Sequence, residues 1–395
     1  MKYCILIMDG AAGLPIPERG GKTSLELART PNLDLMAANA MIGLSKNVPD
    51  GLEPDSSVAC MSLFGYDPQQ YYSGRAPIEA KSLGIEINPG EVLFRCNLVT
   101  VQGNRMVSHS AGSISTEEGR ELIAAISKDL GNDRISFYPG IAYRNILKLK
   151  DYIETSEAIC TPPHDIPGRD ISEYLPKGKG SELLNELMTR SQAILKDHPV
   201  NRQRVSRGQL PATGIWLFWG SGKVSTMPKF SEVYHKKAAV TSGVSLLQGL
   251  GRMADMELLE IPGVTDGLDS DYTAQIKGAL ASLEKYDLVI IHIEAPDEAG
   301  HAGSIKDKIA AIENIDKYVV SEFKKWKGGE LRVLFTPDHP TPISTRTHIS
   351  DPVPFMLWGS GVKETHAKRL TEAEAQNTGI KVDPGWHIMR KLIGE

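Results

Sequence analysis

The stretch DLVIIHIEAPDEAGH, residues 287–301, decides how the rest of the chain is read. Asp287 to Ile291 is an apolar run of strand length, and Pro296 brings the strand to a stop. Asp297 and His301 then stand four residues apart, with Gly300 between them. If the chain coils from Glu298, that spacing puts a carboxylate and an imidazole on one side of a turn. Such a pair suits a metal ion. A capped helix start with an exposed histidine has the same pattern, so this motif alone leaves both readings open.

Two other stretches repeat the arrangement. Leu331 to Thr336 is a second apolar strand, followed by Asp338 and His339, with His348 nine residues further on. Tyr3 to Met8 is a third, ending in Asp9-Gly10. Open parallel α/β sheets bind ligands outside the carboxyl ends of their strands. The expectation is therefore that Asp9, Asp297, Asp338, His301, His339 and His348 collect at one sheet edge. Three carboxylates packed together repel and resist ionisation. Two divalent cations would bring four positive charges against these three negative ones, leaving an excess that stabilises an anion. Six ligands exceed what one four-coordinate ion takes and suit two.

The chain has 395 residues, more than the roughly 250–300 at which single cores stop growing, so two domains are expected. Its 44 Lys+Arg against 49 Asp+Glu leave a net charge of −5 and no basic stripe for nucleic acid. No apolar run approaches the roughly 20 residues that span a membrane. The N-terminus enters a strand directly, without a signal peptide pattern. Cys4, Cys60, Cys96 and Cys160 are scattered, which argues against a disulfide framework and for a reducing cytoplasm.

Residues 53–68, EPDSSVACMSLFGYDP, contain a helix running toward Leu63. Ser56 or Ser57 suits its N-cap. Either one also suits a nucleophile at a helix N-terminus, where the dipole and free N–H groups favour phosphate. Gly220-Ser221-Gly222-Lys223 fails the phosphate-loop pattern, because position 217 is Leu and position 224 is Val. A conventional ATP site is not expected.

Taken together, MDG (8–10), GGKTSLELARTPNLD (20–34), EPDSSVACMSLFGYDP, YYSGRAPIEAKSLGI (71–85), FRCNLVTV (94–101), EAPDEAGH (294–301), TPDHPTP (336–342) and STRTH (344–348) resemble cofactor-independent phosphoglycerate mutase of the archaeal type, a family of the alkaline-phosphatase superfamily. The resemblance runs nearly end to end. It implies an α/β fold: an alkaline-phosphatase-like core whose mostly parallel sheet is sandwiched by helices, interrupted by a smaller, mobile α+β domain. We expect the core at 1–87 and 233–395 and the inserted domain at 88–232. The resemblance further implies Ser56 as nucleophile, with a phosphoserine intermediate. One metal would take Asp9, Ser56, Asp338 and His339, and the other Asp297, His301 and His348. Mn²⁺ is the expected ion, with Mg²⁺, Zn²⁺ and Co²⁺ as alternatives, and 2,3-bisphosphoglycerate is not required. Asp55 and Cys60, which flank Ser56, depart from the residues usual in the family. A proposed homoserine kinase branch shares the same motifs.

In the inserted region, Arg95 to Val101 alternates as a strand, and Ser115 to Glu118 is a capping box opening a helix. By resemblance, His109, Arg144, Asp165 and Arg202 hold the carboxylate and phosphate of a small phosphorylated substrate. Arg75, close after the nucleophile helix, also faces the cleft in this reading. Arg suits such anions through its planar fork. Beyond the inserted region, a long helix is expected from Asp307 through Trp326. The expected function is interconversion of 2- and 3-phosphoglycerate. A homoserine kinase-like phosphotransferase, a metal-dependent phosphate or sulfate ester hydrolase and a non-catalytic metal-binding protein are the alternatives.

Overall fold

A computed structural model describes all 395 residues. Its strands are β1 (Lys2–Met8), β2 (Ala40–Ser45), β3 (Glu91–Gln102), β4 (Arg105–Ser108), β5 (Ile135–Ile141), β6 (Arg144–Lys150), β7 (Gly214–Ser221), β8 (Ala238–Thr241), β9 (Glu257–Leu258), β10 (Leu288–Ile293), β11 (Leu331–Thr336), β12 (Val353–Gly359) and β13 (Lys381–Val382). The chain forms two compact units. Residues 1–72 and 226–395 make the first, and residues 73–225 the second.

The first unit is built on an eight-stranded sheet in the order β13-β2-β12-β11-β1-β10-β8-β9. The β1–β10, β1–β11, β10–β8, β8–β9 and β13–β2 pairs are parallel, whereas β12 runs antiparallel to both β11 and β2. The sheet is thus mostly parallel within an α/β fold. β10 is buried along its whole length, as is β1 beyond Lys2. That explains why both read as continuous apolar runs rather than alternating ones: a parallel sheet covered on both faces has no solvent side. Helices Tyr272–Ser282 and Ile305–Ile315 supply Ile276, Ala279, Ala311, Ile312 and Ile315 to the core around β1, β10 and β11.

Register places the chemistry. Ile7 pairs with His292 on one side and Thr336 on the other. Two residues further on, Asp9 and Asp338 leave their strands side by side. Gly10 follows with φ +58°, and its N–H donates to Asp338 Oδ1 at 3.0 Å. A Cβ there would collide with the Asp297 carboxylate and the Thr341 hydroxyl, so only glycine fits this approach.

The helix expected from Asp307 through Trp326 is not continuous. An α-helix ends at Ile315, one π-turn occupies Asp316–Val320, and a short α-turn follows at Ser321–Phe323. Asp316 causes no breach of the apolar stripe, but its carboxylate accepts the backbone N–H groups of Asn32 (3.2 Å) and Leu33 (2.8 Å). It thereby pins the start of helix Pro31–Ala37.

The second unit is an antiparallel sheet, β4-β3-β6-β5, with β7 on the other side of β3. Helices Thr116–Leu130 and Ser181–Lys196 pack against it through Leu122, Ile123, Ile126, Leu184, Leu187 and Leu195. The Ser115 capping box forms as the sequence suggests.

Candidate active site

In the first unit, the loops after β1, β10 and β11 and the start of helix Ser56–Leu63 meet. The sequence offered Ser56 or Ser57 as the cap of this helix. The cap is instead Asp55, whose Oδ1 accepts the Ser57 N–H at 2.7 Å and also the Ser57 hydroxyl. A carboxylate satisfies the first-turn donors and suits the positive helix end better than a hydroxyl does. The Ser56 hydroxyl is left for other work. Its Oγ lies 3.1 Å from His339 Nε2, and the same nitrogen stands 3.1 Å from Asp338 Oδ2 and 3.7 Å from Asp9 Oδ1. Ser56, Asp9, Asp338 and His339 are all buried.

Beside them is a second convergence. Helix Ala295–His301 carries Asp297 and His301 on one face. His301 Nε2 and His348 Nε2 point at each other 2.9 Å apart, and they stand 3.1 and 3.4 Å from the Asp297 carboxylate. Two donors that each sit about 2.0–2.2 Å from one cation lie about 3–3.5 Å apart. Both groups, Asp297-His301-His348 and Asp9-Asp338-His339, have the donor atoms close enough to share an ion.

Electrostatics agree with that fit. Asp9 Oδ1 is buried without a hydrogen-bond partner, a costly state for a carboxylate oxygen. Burial, and then Asp338 and Asp297, push the Asp9 carboxyl well above the usual carboxylate range. A cation at this point would remove the penalty. Burial would also push Asp297 up, but hydrogen bonds from His301 and His348 hold it well below. Asp297 raises His301 to about 9. Burial lowers His339. The residues therefore fit two divalent cations, and mixed carboxylate and imidazole donors suit Mn²⁺, Zn²⁺ or Co²⁺.

In the second unit a cation-rich group forms around Trp219. Arg75 lies over the Trp219 ring at 4.7 Å, and Arg95 lies 5.6 Å from the same ring. Both guanidinium groups share one carboxylate, Glu79, at 3.1 and 2.6 Å. Burial holds the buried Arg95 guanidinium below its usual range, and Glu79 offsets only part of that. Arg144 lies over Tyr143 at 5.0 Å. Tyr143 packs edge-on to His109, which packs in turn on His164. Burial and then Arg144 lower His109. Two arginines on one glutamate, with Arg144 nearby, leave positive charge for an anion to meet.

The family model described as 2,3-bisphosphoglycerate-independent phosphoglycerate mutase matches residues 37–201. A protein of that name from Methanosarcina barkeri is 46% identical over 382 residues, 96% of each chain. One from Methanothrix thermoacetophila is 46% identical over the full length of both chains. The chain belongs to the 2,3-bisphosphoglycerate-independent phosphoglycerate mutase family. Among solved structures, a protein of Pyrococcus horikoshii superposes with a TM-score of 0.83 at 27% identity, covering 100% of this chain and 96% of its own. The cofactor-independent phosphoglycerate mutase of Thermoplasma acidophilum gives 0.63 at 26% identity, covering 100% and 99%.

Seen as a mutase, the chain brings together Asp9, Ser56, Asp338 and His339, and beside them Asp297, His301 and His348. In the second unit it brings Arg75, Arg144 and His109 around Trp219, Tyr143 and His164. Asp165 is 3.8 Å from His164, with its side chain mostly exposed. Arg202 stands apart. It sits in helix Pro199–Ser206 and lines a separate cavity of about 610 Å³ with Lys196, Asn201, Val205 and Thr213. Arg75 lies on helix Arg75–Ser82, which belongs to the second unit.

Sequence reasoning missed His292, Glu294, Thr341 and Arg95. His292 was absorbed in an apolar strand. Its signal was available: an ionisable residue inside a strand buried on both faces needs a partner. Thr341 donates to Asp297 Oδ1 and holds that carboxylate in place.

Proposed function

We propose that the chain interconverts 2- and 3-phosphoglycerate through phosphoserine at Ser56. One observation carries this reading: a buried serine hydroxyl at a helix N-terminus, 3.1 Å from His339 and grouped with two buried aspartates, in a chain 46% identical to named mutases. Asp9, Ser56, Asp338 and His339 would hold one divalent cation, and Asp297, His301 and His348 the other. When bound, the two cations would lower the pKa of the serine hydroxyl and offset charge on the phosphoryl oxygens.

Ser56 Oγ attacks phosphorus. The Oγ–P bond forms, the P–O bond to glycerate breaks, and the freed glycerate oxygen takes up a proton. The other glycerate hydroxyl then attacks the phosphoserine phosphorus and loses its proton; the new P–O bond forms, the Oγ–P bond breaks, and Ser56 Oγ takes back the proton it gave up in the first step. The N-terminus of helix Ser56–Leu63 directs its dipole toward the phosphoryl group. In the second unit, Arg75, Arg95, Arg144 and His109 are the groups suited to a carboxylate or phosphate. Free thiols at Cys4, Cys60, Cys96 and Cys160 suit a reducing cytoplasm. No helix is long and apolar enough to cross a membrane.

The test is an assay on 3-phosphoglycerate coupled to enolase, with protein stripped of metal and then reloaded with Mn²⁺, and with homoserine plus a phosphoryl donor run alongside. Metal-dependent mutase turnover is expected. Homoserine phosphate without mutase turnover would move the assignment to a phosphotransferase, and release of inorganic phosphate alone would make the chain a hydrolase.

A further inference from the structure

Asp9, His292 and Ser242 lie in a row across three neighbouring parallel strands, β1, β10 and β8. Ser242 follows Thr241, the partner of Ile291, and Asp9 follows Met8, the partner of Ile293. All three side chains are buried. His292 Nε2 stands 2.6 Å from Asp9 Oδ2, and its Nδ1 stands 2.9 Å from Ser242 Oγ. None of these contacts involves Asp9 Oδ1, the oxygen that faces His339.

The hydrogen bonds have one consistent direction. With a cation on Oδ1 the Asp9 carboxyl is ionised and carries no proton, so at 2.6 Å the N–H is on His292 Nε2. A ring with a single N–H then presents a lone pair at Nδ1, and the Ser242 hydroxyl must donate to it. The Val244 N–H donates to Ser242 Oγ at 3.0 Å, occupying a lone pair of that oxygen and leaving its hydrogen for the imidazole. Both backbones are tied down as well. Gln248 Nε2 donates to the Ser242 carbonyl at 2.9 Å, and Gln275 Nε2 donates to the His292 carbonyl at 3.0 Å.

We infer that His292 is a positioning residue: with its tautomer fixed by Ser242, it holds Asp9 Oδ2 so that Oδ1 alone is presented toward the Asp338-His339-Ser56 cation site. The inference rests on the two-cation reading. Residues behind a metal ligand fix its orientation, and losing one typically costs about 10–100-fold in metal affinity. A competing use of the same atoms exists, because Glu294 Oε2 lies 3.5 Å from His292 Nε2 and Asp9, His292 and Glu294 could themselves gather around an ion. The chain of donors from Val244 through Ser242 to Asp9 favours the hydrogen-bonded arrangement.

The experiment titrates metal-free protein with Mn²⁺ by calorimetry, counts bound ions by elemental analysis, and reads the ring nitrogens by ¹⁵N NMR. Wild type is expected to bind two ions per chain, with Nε2 of His292 protonated and Nδ1 bare. His292→Leu should weaken one of the two ions by about 10–100-fold and leave the other unchanged. His292→Gln, which returns an N–H near the Nε2 position, should recover most of the loss, and Ser242→Ala should weaken the same ion by a smaller factor. A folded His292→Leu protein with both affinities intact overturns the inference, as does a bare Nε2 in wild type. That second readout stands even if the leucine variant fails to fold. A third ion in wild type that is lost in His292→Leu also overturns it, making Asp9, His292 and Glu294 a cation site. Wild type that binds no divalent cation overturns the two-cation reading instead, so the two failures are distinguishable.

Discussion

Asp55 Oδ1 accepts the backbone N–H of Ser57 at 2.7 Å, and with it takes the cap of the helix that begins at Ser56. The pair separates two tasks that the sequence left on adjacent serines. Asp55 and Ser57 fix the helix end, and Ser56 faces His339. Asp55→Ala should lower stability by about 1 kcal/mol, the usual cost of a lost N-cap. It should also lower kcat, because the Ser56 hydroxyl is carried by the same first turn. Urea unfolding and steady-state kinetics measured on one preparation would check both. A variant with lowered stability and unchanged kcat would show that the cap does not position Ser56.

Ser56→Ala tests the chemistry directly. It should reduce mutase turnover by a factor on the order of 10³ or more, as removal of a covalent nucleophile does in enzymes of this kind. The remaining donors of both cation groups stay in place, so the variant should still bind metal. Calorimetry together with the enolase-coupled assay separates the two effects. Normal turnover by Ser56→Ala would exclude a phosphoserine at this position.

Metal binding should release protons. In the metal-free protein Asp297 raises His301 to about 9, so at pH 7 the ring is protonated and must lose that proton to bind an ion. Apparent affinity for Mn²⁺ should therefore climb by up to about tenfold per pH unit and level off above about pH 9. The same group affects the stability of the metal-free chain in the opposite sense. Its folded value lies above its ordinary value of 6.5, so its contribution is complete below 6.5 and is lost as pH rises through about 9. His301→Gln should flatten both dependences. Titrations in buffers of different ionisation enthalpy would count the protons.

Arg75 is stacked on Trp219 and shares Glu79 with Arg95. A lysine there keeps the charge but loses the planar fork and the stacking. Arg75→Lys and Arg144→Ala should each raise KM for 3-phosphoglycerate by about ten- to hundredfold, the range for one charge-assisted hydrogen bond of about 1.5–3 kcal/mol. Arg202→Ala, in its separate cavity, should leave KM within twofold. Equal effects at Arg202 and Arg144 would argue against the Trp219 cluster as the anion site.

The parts of this site that the sequence shows are those tied to one strand end each. Asp9, Asp297 and Asp338 follow apolar runs, and a parallel sheet leaves such loops little choice of edge. What the sequence hides is set across strands. His292 reads as one more position in an apolar run, and only the register beside Ile7 brings it against Asp9. Asp55 and the serines after it are all good caps, so the choice between them depends on what else draws the Ser56 hydroxyl. The π-turn begins at Asp316, whose carboxylate meets the backbone of residues 32 and 33, a contact that local periodicity cannot contain. Arg202 came from the resemblance alone, and its place on helix Pro199–Ser206 beside a different cavity depends on packing that the sequence does not show.

Lys308 lies behind the cation groups, buried on helix Ile305–Ile315. Its Nζ donates to the carbonyl of Ala12 at 3.0 Å and to that of Thr341 at 2.6 Å, joining the loop after β1 to the loop after β11. Thr341 in turn holds Asp297, so this amine helps to hold the site together. Lys308→Met should cost about 1–3 kcal/mol by leaving the Thr341 carbonyl without its donor, while the Ala12 carbonyl keeps the Thr341 N–H at 3.1 Å. Its pH signature runs against that of His301. Burial lowers Lys308 from 10.5 to about 8, so between those values the unfolded chain binds the extra proton and this group makes stability rise with pH. Denaturant unfolding of metal-free wild type and Lys308→Met at pH 8 and pH 10 should show the gap between them widening at the higher pH. A gap that narrows would mean that the amine stays charged in the fold, held by Asp297 and Glu372, which both act to raise it.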